Sequence, residues 1–373
     1  LADLTALARD VADGKIDLPT IERQLDDLAS RPSPWPRQVA FMAPGVSAAA
    51  ATIMFSGTVP DATATLGIAL AVQPLITALD RWSLPPFFRV GIAAAVTSAL
   101  VALLVAVGAP VAGGLVLTGS LLRFLPGYAL VAGFRDLIDQ SIVSGTARLA
   151  EALLLAAAIA GGTVLAGALL APPGVDIRLS LSGGVDRPIV VSGVAAAVVV
   201  AAFAVLLDVP PRIVPQAALM GALGWLLVVA PTPARLPFDP SGTMILATVL
   251  IGAAGAILAR RARLPSALWV VPAVLPLLPG LQLVTAMLAP TDLTRLLGLL
   301  AAGVAAFLIG AGVAIGEILV RVVRNVRRSV VAPAVGMVAD GIQVGIAGAV
   351  QRVNREVQDK PRPGGVDGDP DRP

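Results

Sequence analysis

Cysteine and histidine are absent, and lysine occurs only at Lys15 and Lys360. Without thiols there can be no disulfide, thiolate nucleophile or Cys/His zinc site, and without imidazole no histidine-based triad. Charged residues make up 14% of the chain and aromatics 4%. A soluble domain carries about 25% charged residues, so the polar surface that water requires is missing. The sequence has instead 57% hydrophobic residues and a mean hydropathy of +0.87 over 373 residues. That length holds roughly ten membrane spans of about 20 residues each, with short loops.

The sequence pI near 10.1 could signal a nucleic-acid partner. Its arginines, however, sit at the ends of apolar runs, which is the pattern of membrane topology. Gly161-Gly162 and Gly183-Gly184 lack the Lys-Ser/Thr continuation of a phosphate loop. No nucleic acid, ATP drive, metal, cofactor or catalytic residue is therefore expected, and no signal peptide opens at Leu1.

Residues 1–38 read as a cytoplasmic helical segment. Leu4, Leu7, Ala8 and Val11 recur at helical spacing, as do Ile21, Leu25 and Leu28 after Pro19, and Trp35 suits the headgroup level. Apolar segments follow at about 39–56, 64–80, 87–107, 111–134, 146–171, 189–207, 213–230, 242–260, 265–289 and 296–320. Trp82, Trp225 and Trp269 read as interfacial anchors or lipid-facing bulk, and Gly45, Gly67 and Gly91 as helix-packing positions. With the N-terminus inside, the inner loops carry Arg81, Arg89, Arg135, Arg148, Arg212, Arg260, Arg261 and Arg263. The outer loops carry Arg178, Arg187, Arg235 and Arg295. The bias places both termini in the cytoplasm. Residues 172–188 form an external loop, 321–358 an amphipathic cytoplasmic helix against lipid, and 359–373 a disordered tail.

Leu125-Pro126-Gly127 recurs as Leu278-Pro279-Gly280, an offset of 278 − 125 = 153. That offset lays the third, fourth and fifth segments on the eighth, ninth and tenth. The expected fold is thus an all-α integral membrane protein of about ten transmembrane helices. They form two inverted five-helix repeats at 39–171 and 189–320, with short cytoplasmic helices at both ends. Inverted repeats characterise secondary transporters, whose substrate sites lie at Gly/Pro-broken spans in matching positions. The bland alternative for each break is a packing kink without ligand contact.

Thr118-Gly-Ser-Leu-Leu-Arg-Phe-Leu-Pro-Gly-Tyr128, Phe134-Arg-Asp-Leu-Ile-Asp139 and Val143-Ser-Gly-Thr-Ala-Arg-Leu-Ala-Glu-Ala-Leu153 together resemble the threonine/serine exporter family. Leu264-Pro-Ser-Ala-Leu-Trp-Val-Val-Pro272, Pro279-Gly280 and the Gly316-Glu317 ending are similar to its second half. The resemblance implies ten spans, export of threonine and serine, drive from the proton-motive force, and a larger N-terminal cytosolic domain of which 1–38 would be the tail. It departs from the family at Asp139-Gln140-Ser141, where Gly-Asp is usual, so the acidic position there is shifted. Some family members are linked to dicarboxylates such as succinate.

A zwitterionic cargo needs a donor for its carboxylate and an acceptor for its ammonium. The helix start after Pro126-Gly127 can supply amides, and Arg123 lies beside it; the alternative for Arg123 is snorkelling to the interface. Thr118, Ser120, Ser144, Gln282 and Thr285 offer hydrogen bonds around the breaks, with Pro279 and Gly280 as the second break. Ser141 is a neutral neighbour. Singly, each hydroxyl could instead bond its own helix carbonyl. A carboxylate in a partly dehydrated cavity holds its proton more tightly, as a proton-coupled carrier requires. Glu151 is the first choice for that role, then Asp139 and Glu317, with Asp136 beside them. Asp136 and Asp139 share a helix face next to Arg135, and Arg148 and Glu151 repeat the three-residue spacing; these charges equally fit helix-end pairs that fix topology.

The expected function is a secondary exporter of small amino acids in a bacterial cytoplasmic membrane, with a homo-oligomer open. The alternatives are a dicarboxylate exporter or a non-transporting membrane scaffold. The acids cluster near segment ends, which disfavours an intramembrane hydrolase and leaves the chain read as no enzyme.

Overall fold

The computed structural model describes residues 17–30, 33–170, 188–230 and 240–326, with Leu7, Val11 and Leu179 besides. The expected external loop, the helix beyond residue 326 and the terminal tail lie outside the described residues, as does most of the segment before residue 17.

Among the described residues every element of regular structure is helical and no strand occurs. A short helix, α1 (Leu18–Ser30), precedes α2 (Arg37–Met54), α3 (Val59–Arg81), α4 (Pro86–Ala106), α5 (Gly113–Leu121), α6 (Gly127–Ile138) and α7 (Ile142–Leu170). Then come α8 (Ile189–Leu206), α9 (Val214–Val229), α10 (Pro240–Ala262), α11 (Ala267–Val274), α12 (Gly280–Met287) and α13 (Asp292–Val326). One compact unit covers residues 1–318 and a second begins at Leu319, of which residues 319–326 are helical.

Six helices are long and apolar enough to cross a membrane: α3, α4, α7, α8, α10 and α13. The pairs α5–α6 and α11–α12 pass the same test as broken spans, bent by 47° and 43°. The chain is a multi-pass membrane protein with six to eight such spans among the described residues. α9, with 16 residues, is shorter, and α2 opens on Arg37 and Gln38, so neither reaches that set. Leu103, Leu154, Val194, Leu219, Leu250 and Leu300 face outward, as a lipid-contacting surface requires.

The 153-residue offset holds at the level of backbone angles. Each break has a 3-10 turn, Leu122–Phe124 or Leu275–Leu277. An extended residue follows, Leu125 (φ −62°, ψ 127°) or Leu278 (φ −64°, ψ 134°). Then comes a proline cap, Pro126 (φ −81°, ψ 27°) or Pro279 (φ −82°, ψ 25°). Proline removes an amide and crowds the turn before it, so each helix stops and restarts. Left-handed residues also follow α2 and α8: Ser56 (φ 65°) and Asp208 (φ 52°).

Between apolar helices in lipid, close packing of small residues replaces the hydrophobic drive. Gly162 of α7 lies against the Gly91 carbonyl and Ala95 amide of α4, and Gly316 of α13 lies against the Val249 carbonyl and Ala253 amide of α10. A Cβ on either glycine would strike backbone. The interior carries Leu117, Leu121, Ile159, Leu283, Ile309 and Trp269, all but closed to solvent. Trp269 corrects the interfacial expectation: its indole lies in the core and donates to Gln216 Oε1 at 2.6 Å.

Asp61, unremarked in the sequence reading, is buried and accepts from Thr58 N (2.7 Å), Thr58 Oγ1 (2.6 Å) and Ala112 N (2.6 Å). It caps α3 and ties the start of α5 to it. Removing hydrogen bonds to a buried charge costs about 1.5–3 kcal/mol each where the partners stay buried. Asp61→Ala is therefore expected to lower the melting temperature in detergent more than any substitution at exposed Asp139 does.

Candidate functional site

The two breaks meet. A Cβ placed on Gly127 would lie 2.8 Å from Leu278 Cβ and 2.9 Å from Gly280 N, and one on Gly280 would lie 2.8 Å from Gly127 N and 2.9 Å from Leu125 Cβ. Each glycine thus occupies space that the other half's backbone fills. The sequence places these motifs 153 residues apart, and the fold packs them back to back. The first amides of α6 and α12 begin at this junction, as Leu130 N is the earliest in α6 to bond back to Pro126 and Leu283 N the earliest in α12 to bond back to Pro279.

Against the junction lies a cavity of about 360 Å³. Its walls include Leu125, Gly127, Leu278 and Gly280, together with Phe55 at the α2 end and Phe203 of α8. Residues 153 apart in the sequence recur around it: Leu122 with Leu275, Leu125 with Leu278, Gly127 with Gly280. The symmetry fails where chemistry enters. Arg123 stands opposite Pro276 and Tyr128 opposite Leu281, and these two are the polar side chains among the described lining residues. The Arg123 guanidinium donates to Gln73 Oε1 of α3 and lies 5.3 Å from the Phe124 ring centroid.

The remaining expected site residues distribute unevenly. Pro126 and Pro279 form the breaks themselves. Thr118 is buried and its hydroxyl donates to Gly114 O at 2.8 Å, within its own helix. Ser120 is 2% exposed, and its Oγ has no hydrogen-bond partner; neither residue lines the cavity. Gln282 is exposed, and Thr285 Oγ1 turns to the Gln282 carbonyl at 3.0 Å. Ser144 sits at the α6–α7 corner, donating to Asp136 Oδ2 at 2.6 Å.

Of the acids, Asp136 pairs with Arg148 at 3.1 Å, which joins α6 to α7 rather than Arg148 to Glu151. Glu151 and Asp139 are exposed. Glu317 is 6% exposed and accepts from Arg135 Nη2 at 2.5 Å and from Ser266 Oγ at 2.8 Å. This cluster joins α13, α6 and the turn before α11. The pairing of Arg135 and Ser266 with Glu317 was not legible in the sequence, because the partner lies 182 and 51 residues away. Gln73 carried a signal, an amide in the middle of an apolar helix next to Pro74.

A family model described as "Putative threonine/serine exporter" matches residues 1–170, and one described as "Threonine/Serine exporter" matches residues 192–323. The chain belongs to the threonine/serine exporter family. Within that family, it is 27% identical over 335 residues to "Probable threonine/serine exporter" of Mycobacterium tuberculosis, covering 86% of this chain and 62% of that protein. It is 26% identical over 347 residues to "Threonine/serine exporter" of Corynebacterium glutamicum, covering 87% of this chain and 68% of that protein. The chain therefore spans about two thirds of the length of these relatives. No solved structure matches it.

Proposed function

We propose that the chain is a secondary active exporter of threonine and serine in a bacterial cytoplasmic membrane, and that its cargo occupies the cavity at the paired breaks. One observation carries this reading. Two Pro-Gly breaks at matching positions pack against each other and wall a cavity that contains a guanidinium. Broken spans meeting at the interface between two repeats are the usual substrate site of secondary carriers.

The proposal includes ten spans, five per half: α2, α3, α4, α5–α6 and α7, then α8, α9, α10, α11–α12 and α13. Five is odd, so the second half enters from the opposite side, with both termini cytoplasmic as the arginine bias indicates. The cargo carboxylate pairs with Arg123 and the first amides of α6, where the helix dipole favours an anion. The carboxylate of Glu317 couples flux to the proton gradient, being the buried acid that bridges helices of both halves. A dicarboxylate would ask for a second cation, and Arg123 is alone in that role among the described lining residues. A scaffold would have no use for a cavity at a doubled break.

The test is efflux of labelled threonine or serine from liposomes, with and without an imposed proton gradient. Loss of a charge-assisted hydrogen bond to the carboxylate is worth about 1.5–3 kcal/mol, so Arg123→Gln is expected to slow efflux about 10- to 100-fold. Wild-type flux in that variant would remove the cargo from this cavity.

A further inference from the structure

The charge of the cavity is one-sided. Arg123 contributes a full positive charge, and the groups its side chain meets, the Gln73 amide and the Phe124 ring, carry no negative one. Asp80 acts on Arg123 through space, but its carboxylate is bonded to Arg89. No Asp or Glu is among the described lining residues. An ion held in apolar surroundings needs its countercharge close by, since an uncompensated one costs several kcal/mol. Here the ligand must bring it.

An amino acid brings a carboxylate, which satisfies Arg123, and also an ammonium, for which the cavity offers no anion. What it offers is neutral acceptors. Proline at position 272 denies the Leu268 carbonyl its helical amide, and both residues line the cavity. The Tyr128 hydroxyl can also accept. A carbonyl or phenol oxygen accepts from a hydroxyl as well as from an ammonium, though the bond to the neutral donor is the weaker one. A hydroxyl carries no charge to desolvate, so the substitution lowers the cost of entering an apolar cavity.

We infer that the cavity reads the carboxylate and leaves the ammonium unread, so that small 2-hydroxycarboxylates are cargo alongside the amino acids. This rests on the cavity being the cargo site of the exporter. The sharpest probe is glycerate, which is serine with a hydroxyl in place of the ammonium. Its counterpart is 2-aminoethanol, which is serine without the carboxylate.

The experiment has two readouts on the full chain: melting temperature in detergent at matched ionic strength, and inhibition of labelled serine efflux from liposomes. Sodium glycerate is expected to raise the melting temperature and to inhibit at no higher concentration than unlabelled serine. 2-Aminoethanol, lacking the group that pairs with Arg123, is expected to be weaker by about tenfold or more in both. Arg123→Gln should abolish the glycerate shift. If that protein does not fold, Arg123→Lys keeps the charge without the planar fork, and should bind glycerate more weakly than wild type but still above 2-aminoethanol. Serine efflux that glycerate leaves untouched overturns the inference and leaves the exporter standing. Stabilisation by glycerate without any serine flux overturns the exporter reading and with it the cargo claim, leaving only carboxylate binding at the cavity. An equal or stronger effect of 2-aminoethanol overturns the inference, as does tighter binding of succinate than of glycerate, which would demand a second cation.

Discussion

In liposomes, Gly127→Val protein is expected to transport at least about 100-fold more slowly than wild type, the loss that a displacement of about 1 Å at a reacting or binding centre can produce. The side chain has nowhere to go. Its Cβ alone would fall within 3 Å of Leu278 Cβ and the Gly280 amide, and backbone cannot rotate aside as a side-chain tip can. Overpacking of an interior costs about 1–3 kcal/mol, so the melting temperature falls too. The two breaks must part, and with them the cavity wall that both form. Gly280→Val should do the same, because its Cβ would meet Gly127 N and Leu125 Cβ. Gly67→Ala is the control: a Cβ there meets nothing within 4 Å, and efflux and melting temperature should match wild type. Full flux in Gly127→Val would show that transport does not depend on contact between the breaks.

That contact marks how far the sequence could be read. The recurrence of Leu-Pro-Gly at 153 residues, and the expectation that both copies interrupt a span, follow from proline chemistry alone. The backbone angles at Pro126 and Pro279 agree within a few degrees. What periodicity cannot supply is which faces touch. Hydropathy in lipid distinguishes lipid from water and not one apolar neighbour from another, so Trp269 read as an anchor when Gln216 holds it in the core. Gly67 read as a packing glycine yet faces open space, whereas Gly162 and Gly316, which the sequence did not mark as packing positions, carry backbone-to-backbone crossings. The same blindness affected the charges. Spacing of three residues paired Arg148 with Glu151, but Arg148 bends across the corner to Asp136. Arg123 was legible because a cation inside an apolar run is costly wherever it ends up. Ser144, Gln282 and Thr285 were proposed from nearness in sequence to the breaks, and a helix carries neighbours to opposite faces.

Glu317→Gln is expected to abolish stimulation of efflux by an imposed proton gradient while leaving exchange of internal for external cargo measurable. The carboxylate bonds Arg135 at 2.5 Å and Ser266 at 2.8 Å. When it is ionised, the pair holds α6, and with it the first break, to α13. A proton arriving on Glu317 removes the charge that attracts Arg135 but leaves a carbonyl oxygen that Ser266 can still donate to. On the proposed coupling, proton binding would loosen α6 from α13 while the Ser266 contact persists. Glutamine imitates the protonated form permanently, so the gradient loses its point of action. Breaking a fully buried pair costs about 3–5 kcal/mol. Arg135 is about one-third exposed, and solvent screening reduces the loss to about 1–3 kcal/mol. A merely structural pair would predict a different outcome, in which Glu317→Gln and Arg135→Gln lower gradient-driven efflux and exchange by the same factor. The ratio of the two fluxes, rather than either alone, decides between them. Should Glu151→Gln erase the gradient response while Glu317→Gln retains it, the coupling acid is the exposed one on α7, and the Arg135–Glu317 pair is a clasp between helices.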